Sequence, residues 1–458
     1  MKSVAFHNLG CKVNSYELDV MQQMLVEKGY RIVPFDQIAD IYIINTCTVT
    51  NIADRKSRQM LHRAKQKNPR AIVVAVGCYV QTDKAGVERD ECIDLAIGNN
   101  RKKDLAEILD QFLQEREMAD KTLGDTTIID INQPCDYEEM TLQQTAEHTR
   151  AYIKIQDGCN QFCSYCVIPY ARGRVRSRRE EDILTEIRGL VERGYQEIVL
   201  TGIHISSYGI DFEDRKVYRG ESRLIDLVEN IHNQVEGLKR IRLGSLEPRI
   251  VTGETAKRLA ALPRLCPHFH LSLQSGCDET LKRMNRQYTT GEYLQGVKYL
   301  RQYFDHPAIT TDVIVGFPGE TEEEFNRTRD FLEQVGFFEM HIFKYSRRAG
   351  TAADRMPDQL TDKVKSARSD VLFAMEAEQS KAFRSYYIGR QAEILWEDRR
   401  LVDGKPYWLG HTADYVKVAV PADEENRSNT LSSVTVDSFL TEEILLGKSD
   451  AQNRLNKD

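Results

Sequence analysis

Three cysteines of this chain lie on one short loop, and they restrict its fold and chemistry more than any other feature. The loop reads GCNQFCSYC from residue 158 to residue 166, so Cys159, Cys163 and Cys166 directly follow a predicted strand. Thiolates suit iron–sulfur clusters, and three of them on a four-iron cluster leave one iron open. The alternatives are a structural zinc loop or buried thiols, but zinc sites usually pair two C-x-x-C units and the sequence has no second one. The loop therefore predicts an iron–sulfur cluster.

Three further cysteines also follow predicted strands. The strand-like run 4–9 is followed by Cys11, the run 41–45 by Cys47 and the run 72–76 by Cys78. Because the carboxyl ends of parallel strands meet at one edge of a sheet, these thiols are expected to lie together, with Gly10 and Gly77 allowing close approach. One buried cysteine at a strand end is more often a packing residue, but three together predict a second cluster. The other four thiols are expected to pack without chemistry: Cys92, Cys135, Cys266 and Cys277.

The predicted elements alternate between strands and helices over most of the chain, which indicates an α/β fold with parallel strands. The predicted regions are an open parallel α/β sheet domain at 1–115, a polar linker at 116–150 with a possible strand at 127–131, a partial (β/α)6 barrel at 151–388, a small OB-like β-barrel at 389–447 and a tail at 448–458. The six barrel strands are predicted at 152–155, 197–200, 240–243, 269–273, 311–315 and 339–343. An open barrel of six strands leaves a wide lateral mouth.

Composition excludes several classes of protein. No apolar run approaches the roughly 18 residues of a membrane span, and the first residues lack the pattern of a signal peptide, so a cytoplasmic enzyme without membrane contact is expected. In a reducing cytosol, ten cysteines indicate metal ligands or packing rather than disulfides. The net charge of -7 argues against a generally basic nucleic-acid-binding protein, although a local basic patch can still bind RNA.

Such a patch follows the cysteine loop directly. Five arginines fall within eight residues, beside Tyr170: Arg172, Arg174, Arg176, Arg178 and Arg179. Arginine forms bidentate contacts with phosphate, so the segment predicts binding to nucleic acid. For Arg178 and Arg179 a solvated loop before a helix is the alternative.

The C-x-x-x-C-x-x-C loop, with an aromatic residue before its last cysteine, resembles the radical S-adenosylmethionine superfamily. Over nearly its whole length the chain resembles the methylthiotransferase branch of that superfamily. The phrases that carry this resemblance are NTCTVT at 45–50, LQSG at 273–276, MNR at 284–286 and DVIVGFPG at 312–319. The segment LGCKVN at 9–14 looks most like the enzymes that act on N6-threonylcarbamoyladenosine beside the anticodon of tRNA.

The resemblance implies two 4Fe–4S clusters, S-adenosylmethionine, and a 5′-deoxyadenosyl radical that activates C2 of the adenine at position 37. It implies that one S-adenosylmethionine molecule methylates a sulfur at the N-terminal cluster and that a second forms the radical. It also implies cofactor contacts from Tyr165, Glu247, Gln274, Arg286 and Asp312.

The same resemblance implies a tRNA anticodon stem-loop as substrate, an electron-donor protein as partner and a terminal TRAM domain that binds RNA. The aromatic residues of that domain either stack on bases or fill its barrel: Trp396, Tyr407, Trp408 and Tyr415. Because the threonylcarbamoyl group ends in a carboxylate, its pocket is expected to contain a cation. The candidates near the expected mouth are Lys12, Arg172, Arg174, Arg347 and Arg348.

Two other functions compete with this one. Ribosomal-protein aspartate methylthiotransferases use the same chemistry, but they usually carry a proline soon after the first cysteine, where this chain has Lys12 and Val13. A zinc-stabilised RNA-binding protein without catalytic activity is the second. Iron content separates it from an enzyme, since two 4Fe–4S clusters bring about eight irons.

Overall fold

The computed structural model describes residues 2–118, 125–133, 135–144, 149–213 and 222–448. Along the chain it contains a six-stranded sheet, a partial barrel formed by two smaller sheets, and a closed five-stranded β-barrel. The predicted α/β class with a β-rich end is confirmed. Within these ranges, each helix is too short or too polar to cross a membrane.

The first sheet is parallel throughout, in the strand order β2-β1-β3-β4-β5-β6. Its elements are β1 (Ser3–Asn8), α1 (Lys12–Glu27), β2 (Arg31–Val33), β3 (Ile41–Thr46), α2 (Asn51–Lys67), β4 (Ile72–Gly77), α3 (Cys78–Thr82), α4 (Lys84–Glu88), β5 (Leu95–Ile97), α5 (Leu105–Met118) and β6 (Asp125–Thr127). Every residue of β3 and β4 is buried, because helices cover both faces of the sheet.

The strands predicted at 4–9, 41–45 and 72–76 are confirmed as β1, β3 and β4. The strands β2 and β5 were not predicted, because three residues are too few for a recognisable alternation. The possible strand at 127–131 is wrong in position. The strand in this region is β6, which pairs with β5. It ends at Thr127 because that residue is paired with Ile97, the last residue of β5.

The partial barrel follows. Its elements are β7 (Ala151–Asp157), α6 (Ile168–Arg172), β8 (Arg176–Ser177), α7 (Glu180–Glu192), β9 (Glu197–Gly202), α8 (Arg223–Gln234), β10 (Arg240–Leu243), α9 (Gly253–Ala260), β11 (His268–His270), α10 (Asp278–Arg283), α11 (Thr290–Tyr303), β12 (Ala308–Val315), α12 (Glu322–Val335), β13 (Glu339–Lys344) and α13 (Asp362–Ser385). All six predicted strands are present, as β7, β9, β10, β11, β12 and β13. The short β8, antiparallel to β7, was not predicted.

Six parallel strands form one curved wall. The sheet of β7, β9 and β10 meets the sheet of β11, β12 and β13 through bridges that join Ile241 to Leu265 and Leu246 to Leu271. Among the described residues, β13 pairs with neither β7 nor β8, so the wall does not close. The prediction of an open barrel is therefore confirmed.

The C-terminal strands form a closed barrel in the order β14-β15-β16-β18-β17. They are β14 (Gln391–Val402), β15 (Lys405–His411), β16 (Lys417–Pro421), β17 (Leu431–Phe439) and β18 (Leu445–Lys448). Trp396 and Trp408 are buried in its core, and the Trp396 indole donates to Ser432 at 2.7 Å. These two tryptophans therefore fill the barrel and are not available to stack on RNA bases.

A buried ionic network centred on Glu17 of α1 joins the N-terminal sheet to the partial barrel. The Glu17 carboxylate accepts hydrogen bonds from Lys154 of β7 at 2.8 Å, from Arg172 of α6 at 2.8 and 3.0 Å, and from Lys102. Lys154 also pairs with Asp157 at 2.7 Å. We call these five residues the Glu17 network. Burial alone would raise the pKa of Glu17, but the three cations hold it well below its usual value.

Tyr415 of the C-terminal barrel closes the amino-terminal end of the partial barrel. Arg150 and Arg242 lie over its ring at 4.9 and 4.7 Å, and Arg150 donates to its hydroxyl at 2.7 Å. His268, at the start of β11, lies 5.2 Å from the same ring, and Glu197, at the start of β9, pairs with both arginines. Tyr415 therefore neither stacks on RNA nor fills its own barrel, and the carboxyl ends of the strands remain as the mouth.

We expect Glu17→Gln to lower the free energy of unfolding by about 3 to 5 kcal/mol, because it leaves three buried cations with Asp157 as their main counter-ion. Glu27→Gln, at an exposed position of the same helix, is the matched control and should change it by no more than about 0.5 kcal/mol. Urea unfolding followed by circular dichroism measures both. Equal unfolding midpoints for the two variants would contradict the role given to the network.

Candidate functional site

The loop that carries Cys159, Cys163 and Cys166 leaves the carboxyl end of β7 in a tight turn. Gly158 has a φ of +71°, and a Cβ there would lie 1.9 Å from the carbonyl oxygen of Arg174, so only glycine fits. The backbone amide of Cys166 donates to the carbonyl oxygen of Cys163 at 2.9 Å. These contacts hold the three cysteines of the loop close to one another.

Segments from later in the chain fix the other side of this loop. The Ser164 amide donates to the carbonyl oxygen of Met284 at 3.0 Å, and the Ala353 amide donates to that of Ser164 at 2.7 Å. The side chain of Asn285 donates to the carbonyl oxygen of Phe162 at 3.0 Å. The loop is therefore held in position by the protein itself.

The chemistry of this site fits a 4Fe–4S cluster with one open iron. Burial raises the pKa of Cys159 to about 11 and that of Cys166 to about 12, so both thiols stay protonated until a metal displaces their protons. The Arg286 guanidinium lies 3.2 Å from the sulfur of Cys163, where its charge favours thiolates.

The residues expected to contact S-adenosylmethionine are at different distances from this loop. Tyr165 belongs to the loop itself and Arg286 touches it. The backbone of Gln274, with a φ of +72°, donates to the carbonyl oxygen of Asp312 at 2.8 Å, which joins two neighbouring strand ends. Glu247 follows β10 and pairs with an arginine at 2.7 Å. Tyr165 and Arg286 are therefore the best positioned of the five.

The second set of thiols lies at the carboxyl edge of the N-terminal sheet. Cys11 immediately precedes α1, Cys47 follows β3, and Cys78 begins α3 directly after β4. A Cβ on Gly10 would lie 3.2 Å from the sulfur of Cys47, so the first loop passes close against the second. Burial raises the pKa of Cys47 to about 11, and the neighbouring Cys78 and Cys11 thiols contribute to the increase. The sheet thus brings these three thiols together.

Neither set of thiols has the compact geometry of a single-ion site. Among the described residues, only two groups hold three potential ligand atoms within 4.8 Å of one another. These groups are His62 with Asp90 and Cys92, and His270 with Asp312 and His341. The wider spacing of the two cysteine triads suits a cluster of several irons better than one zinc ion.

Three of the cations expected to contact RNA or the substrate carboxylate are buried and paired. Arg172 is fully buried in the Glu17 network. Arg176 bonds to the carbonyl oxygen of Arg172 at 3.0 Å, and Arg348 binds Asp54 at 2.6 Å and Thr48 at 2.7 Å. The expectation that Arg172, Arg176 and Arg348 face RNA is therefore corrected. Arg172 and Arg348 join the N-terminal sheet domain to the partial barrel, and Arg176 supports Arg172.

The remaining candidates are accessible. Arg174 is exposed and lies 4.4 Å over the ring of Phe162, and Arg347 is exposed and pairs with Asp354 at 3.0 Å. Lys12 is also accessible, and its ammonium group makes no hydrogen bond or ion pair with any residue in the described ranges. Burial by the surrounding protein, followed by the nearby Arg242 and other cations, lowers the pKa of Lys12 to about 8.

Lys12 and three barrel strands line a polar interior. Ile314 of β12 and Tyr165 of the cysteine loop pack against one hydrophobic cluster, and strand alternation puts Asp312 on the same face of β12 as Ile314. His270 of β11 contacts Asp312, and His341 of β13 is paired with Asp312 in register. Burial, and then Arg242, Lys12 and His270, lower the pKa of His268. We call the interior lined by Lys12, His268, His270, Asp312 and His341 the barrel chamber.

Sequence analysis missed His268, His270 and His341 as site residues. A signal was present, because polar residues alternate along β11 and continue into the following loop as His268, His270 and Ser272. The period of two marks one face of a strand, and a polar face inside a barrel marks a site. The Glu17 network carried no comparable signal, because its members come from distant segments.

Replacing Cys159, Cys163 and Cys166 together by alanine should halve the iron content, from about eight to about four atoms per chain. The same variant should lose reductive cleavage of S-adenosylmethionine, because the open iron is lost. Cys266→Ala, a buried thiol outside both triads, should keep all of its iron. Iron analysis of anaerobically reconstituted protein tests this, and unchanged iron in the triple variant would overturn the ligand assignment.

Comparison with known proteins agrees with this geometry. Residues 153–332 match the sequence family described as Radical SAM superfamily, and residues 3–98 match that described as Uncharacterized protein family UPF0004. The chain is 39% identical over 426 residues to the threonylcarbamoyladenosine tRNA methylthiotransferase MtaB of Bacillus subtilis. This alignment covers 93% of this chain and 92% of the relative. It is 34% identical to the protein of that name from Thermotoga maritima, over 98% of both chains. The tRNA-2-methylthio-N(6)-dimethylallyladenosine synthase of Thermoanaerobacter sp. is 33% identical over 86% of this chain and 83% of the relative.

A similar fold occurs among solved structures. The radical S-adenosylmethionine methyltransferase TsrM from Kitasatospora setae, solved with cobalamin and a [4Fe–4S] cluster, superimposes with a TM-score of 0.53 at 16% identity, over 77% of each chain. At that identity the likeness supports the fold alone. The relatives above, at more than 30% identity over most of both chains, establish that this chain belongs to the radical S-adenosylmethionine tRNA methylthiotransferase family, whose enzymes use S-adenosylmethionine and 4Fe–4S clusters.

Proposed function

We propose that this enzyme converts N6-threonylcarbamoyladenosine at position 37 of tRNA to its 2-methylthio derivative. The names of the relatives that are 39% and 34% identical favour this substrate. However, relatives named for dimethylallyladenosine are 33% identical, so overall similarity separates the two substrates poorly. The contents of the barrel chamber discriminate better.

The observation that carries the proposal is the ammonium group of Lys12, which has no hydrogen-bond or ion-pair partner among the described residues. Its surroundings are mainly cationic, since Arg242 and Arg150 each lower its pKa more than Glu197 raises it. A cation surrounded by protein and by like charges is stabilised by an anion, and charge-assisted hydrogen bonds to a carboxylate are among the strongest available. The threonylcarbamoyl group ends in a carboxylate, whereas the dimethylallyl group is wholly apolar.

The rest of the chamber favours the same substrate. An apolar substituent would need apolar walls, because burying polar groups without partners costs free energy. The chamber instead offers imidazoles and a carboxylate, from His268, His270, His341 and Asp312. A hydroxylated, charged substituent can make hydrogen bonds with such walls.

In this proposal each thiol triad has a separate task. Cys159, Cys163 and Cys166 would hold the 4Fe–4S cluster whose electron would cleave S-adenosylmethionine, and Cys11, Cys47 and Cys78 would hold the cluster that would supply the sulfur. Tyr165 and Arg286 orient the cofactor beside the first triad, with Gln274 and Glu247 further along the mouth. The Glu17 network keeps the segments that carry the two triads at a fixed distance from each other.

The partners proposed for this enzyme are the tRNA anticodon stem-loop and an electron-donor protein, with the reaction taking place in the cytoplasm. The exposed Arg174 and Arg347, which lie on different segments of the mouth, are suited to phosphate contacts. The proposed division of tasks gives the auxiliary cluster to residues 1–115, the radical chemistry to residues 151–388 and RNA binding to residues 389–447.

The first test concerns the auxiliary triad. Replacing Cys11, Cys47 and Cys78 together by alanine should spare formation of 5′-deoxyadenosine and abolish the methylthiolated product, because only sulfur supply is lost. Cys92→Ala, in the same sheet domain, is the control and should retain both activities. Chromatography of both products measures the effect. Normal sulfur transfer by the triple variant would mean that the sulfur is held elsewhere.

The second test concerns the substrate. Two anticodon stem-loops that differ only in carrying threonylcarbamoyl or dimethylallyl adenosine are compared by kcat/KM. The wild type should prefer the first, and Lys12→Gln should reduce that preference by at least about 10-fold, since a hydrogen bond to a charged group is worth about 1.5 to 3 kcal/mol. Arg347→Gln is the control, because the loss of a phosphate contact weakens turnover of both stem-loops alike and leaves the preference unchanged. Equal turnover of both stem-loops by the wild type would refute the proposed substrate.

A further inference from the structure

We propose that His270, Asp312 and His341 bind a divalent transition-metal ion such as Zn²⁺ inside the barrel chamber, at a site separate from both thiol triads. The three side chains come from β11, β12 and β13, which are neighbours in one parallel sheet. One ligand atom from each residue lies within 4.8 Å of the other two. Around a tetrahedral zinc ion with bonds of about 2.0 to 2.2 Å, ligand atoms lie about 3.3 to 3.6 Å apart. Nε2 of His270 and the Asp312 carboxylate already have this separation, at 3.3 Å, so side-chain rotations complete the site.

The sheet register explains why these residues meet. His270 is paired with Thr310, and Asp312, two residues further along β12, is paired with His341. Residues two apart on a strand share a face, so all three side chains point into the chamber. The His270 and His341 rings stack, with centroids 5.8 Å apart and an angle of 27° between the rings.

A neighbouring hydroxyl already orients His270 for metal binding. Its Nδ1 lies 3.0 Å from the Thr310 hydroxyl, which is buried, and its Nε2 lies 3.3 Å from a carboxylate oxygen of Asp312. Histidine ligands of metals usually donate their second ring N–H to such a partner, which fixes the tautomer and the direction of the other nitrogen. Thr310 therefore acts as a positioning residue for Nε2.

Asp312 has no lysine or arginine partner among the described residues. In the described part of the chain, the sole basic group within 4 Å of its oxygens is the His270 imidazole. The Glu17 and Glu197 carboxylates, by contrast, are each surrounded by lysines or arginines. A divalent ion would provide the missing charge for Asp312.

The donor set determines the class of ion. Two imidazoles and one carboxylate suit Zn²⁺, Fe²⁺, Co²⁺ or Mn²⁺, and such three-ligand sites keep open positions for another ligand. Asp312 is partly accessible and His341 is exposed at the open side of the chamber, so an oxygen ligand can reach those positions. This assignment makes Asp312 a metal ligand in place of the direct cofactor contact that the family resemblance implies.

The test measures zinc in the complete enzyme with both clusters in place and without tRNA, so its result is independent of the proposed substrate. Protein is dialysed anaerobically against buffered Zn²⁺, and zinc and iron per chain are determined by mass spectrometry. The Asp312→Asn/His341→Gln double variant should lose one zinc per chain. The Asp90→Asn/His62→Gln double variant, with the same substitutions in the surface group of His62, Asp90 and Cys92, is the matched control and should keep that zinc.

Two further measurements guard against misinterpretation. Zinc K-edge absorption of the wild type should give a first shell of nitrogen and oxygen with imidazole scattering. Thr310→Val keeps all three ligands and should weaken zinc binding about 10- to 100-fold, as expected when the partner of a ligand histidine is lost. Full iron content in every variant confirms folding. Three results would overturn the proposal. They are equal zinc in the wild type and the Asp312→Asn/His341→Gln variant, loss of zinc only from the Asp90→Asn/His62→Gln variant, and sulfur in the first shell.

Discussion

The Glu17 carboxylate is the interaction on which the rest of the site depends. It is buried together with Lys102, Lys154 and Arg172. Removing it would leave three buried cations without their shared counter-ion, in surroundings that solvate them poorly. Because Glu17 belongs to α1 and Lys154 to β7, the network fixes the distance between the segments that carry the two thiol triads. Cys11 immediately precedes α1, and the loop that carries Cys159, Cys163 and Cys166 immediately follows β7, so Cys11 and this loop cannot move apart without breaking buried ion pairs. The proposed reaction between two metal centres would require this rigidity.

The network also explains why so many arginines follow the loop that carries Cys159, Cys163 and Cys166. Arg172 and Arg176 have a local sequence typical of a phosphate-binding segment, and the structure buries both. Arg172 interacts with the Cys78 thiol as well as with Glu17, so it contributes positive charge beside ligands that bind metal as thiolates. Together with Arg286 at the other triad, it offsets the negative charge that three thiolates bring to each site. The charge of this segment is therefore directed at the thiol triads at least as much as at the proposed RNA.

The fold and the thiols were predictable because their signals are local. Each cysteine of the auxiliary triad ends a run of apolar, β-branched residues, and parallel strands bring such ends together whatever their separation in sequence. The six barrel strands were recognisable for the same reason. Burial of Arg172 and Arg348 was not predictable, because each is decided by a carboxylate or hydroxyl more than 100 residues away. The pairing of His270, Asp312 and His341 depends on the register of three strands, which sequence pattern alone does not give. Short strands such as β2 and β5 carry too few residues to alternate.

Donor chemistry changes with depth in the barrel, and this order links recognition to catalysis. Soft thiols lie at the mouth, imidazoles and a carboxylate lie below them, and the end opposite the mouth is closed by Tyr415 with Arg150 and Arg242. Lys12, the proposed contact for the threonylcarbamoyl carboxylate, is one peptide bond away from Cys11. The proposed contact for the substituent and a proposed ligand of the sulfur-bearing cluster therefore move as one unit. A substrate without the carboxylate loses the contact with Lys12. Because that contact would also position the adenine relative to the sulfur, the alignment is lost with it. Misalignment of reacting atoms by about 1 Å can cost roughly 100-fold in rate, so discrimination should appear in kcat as well as in KM.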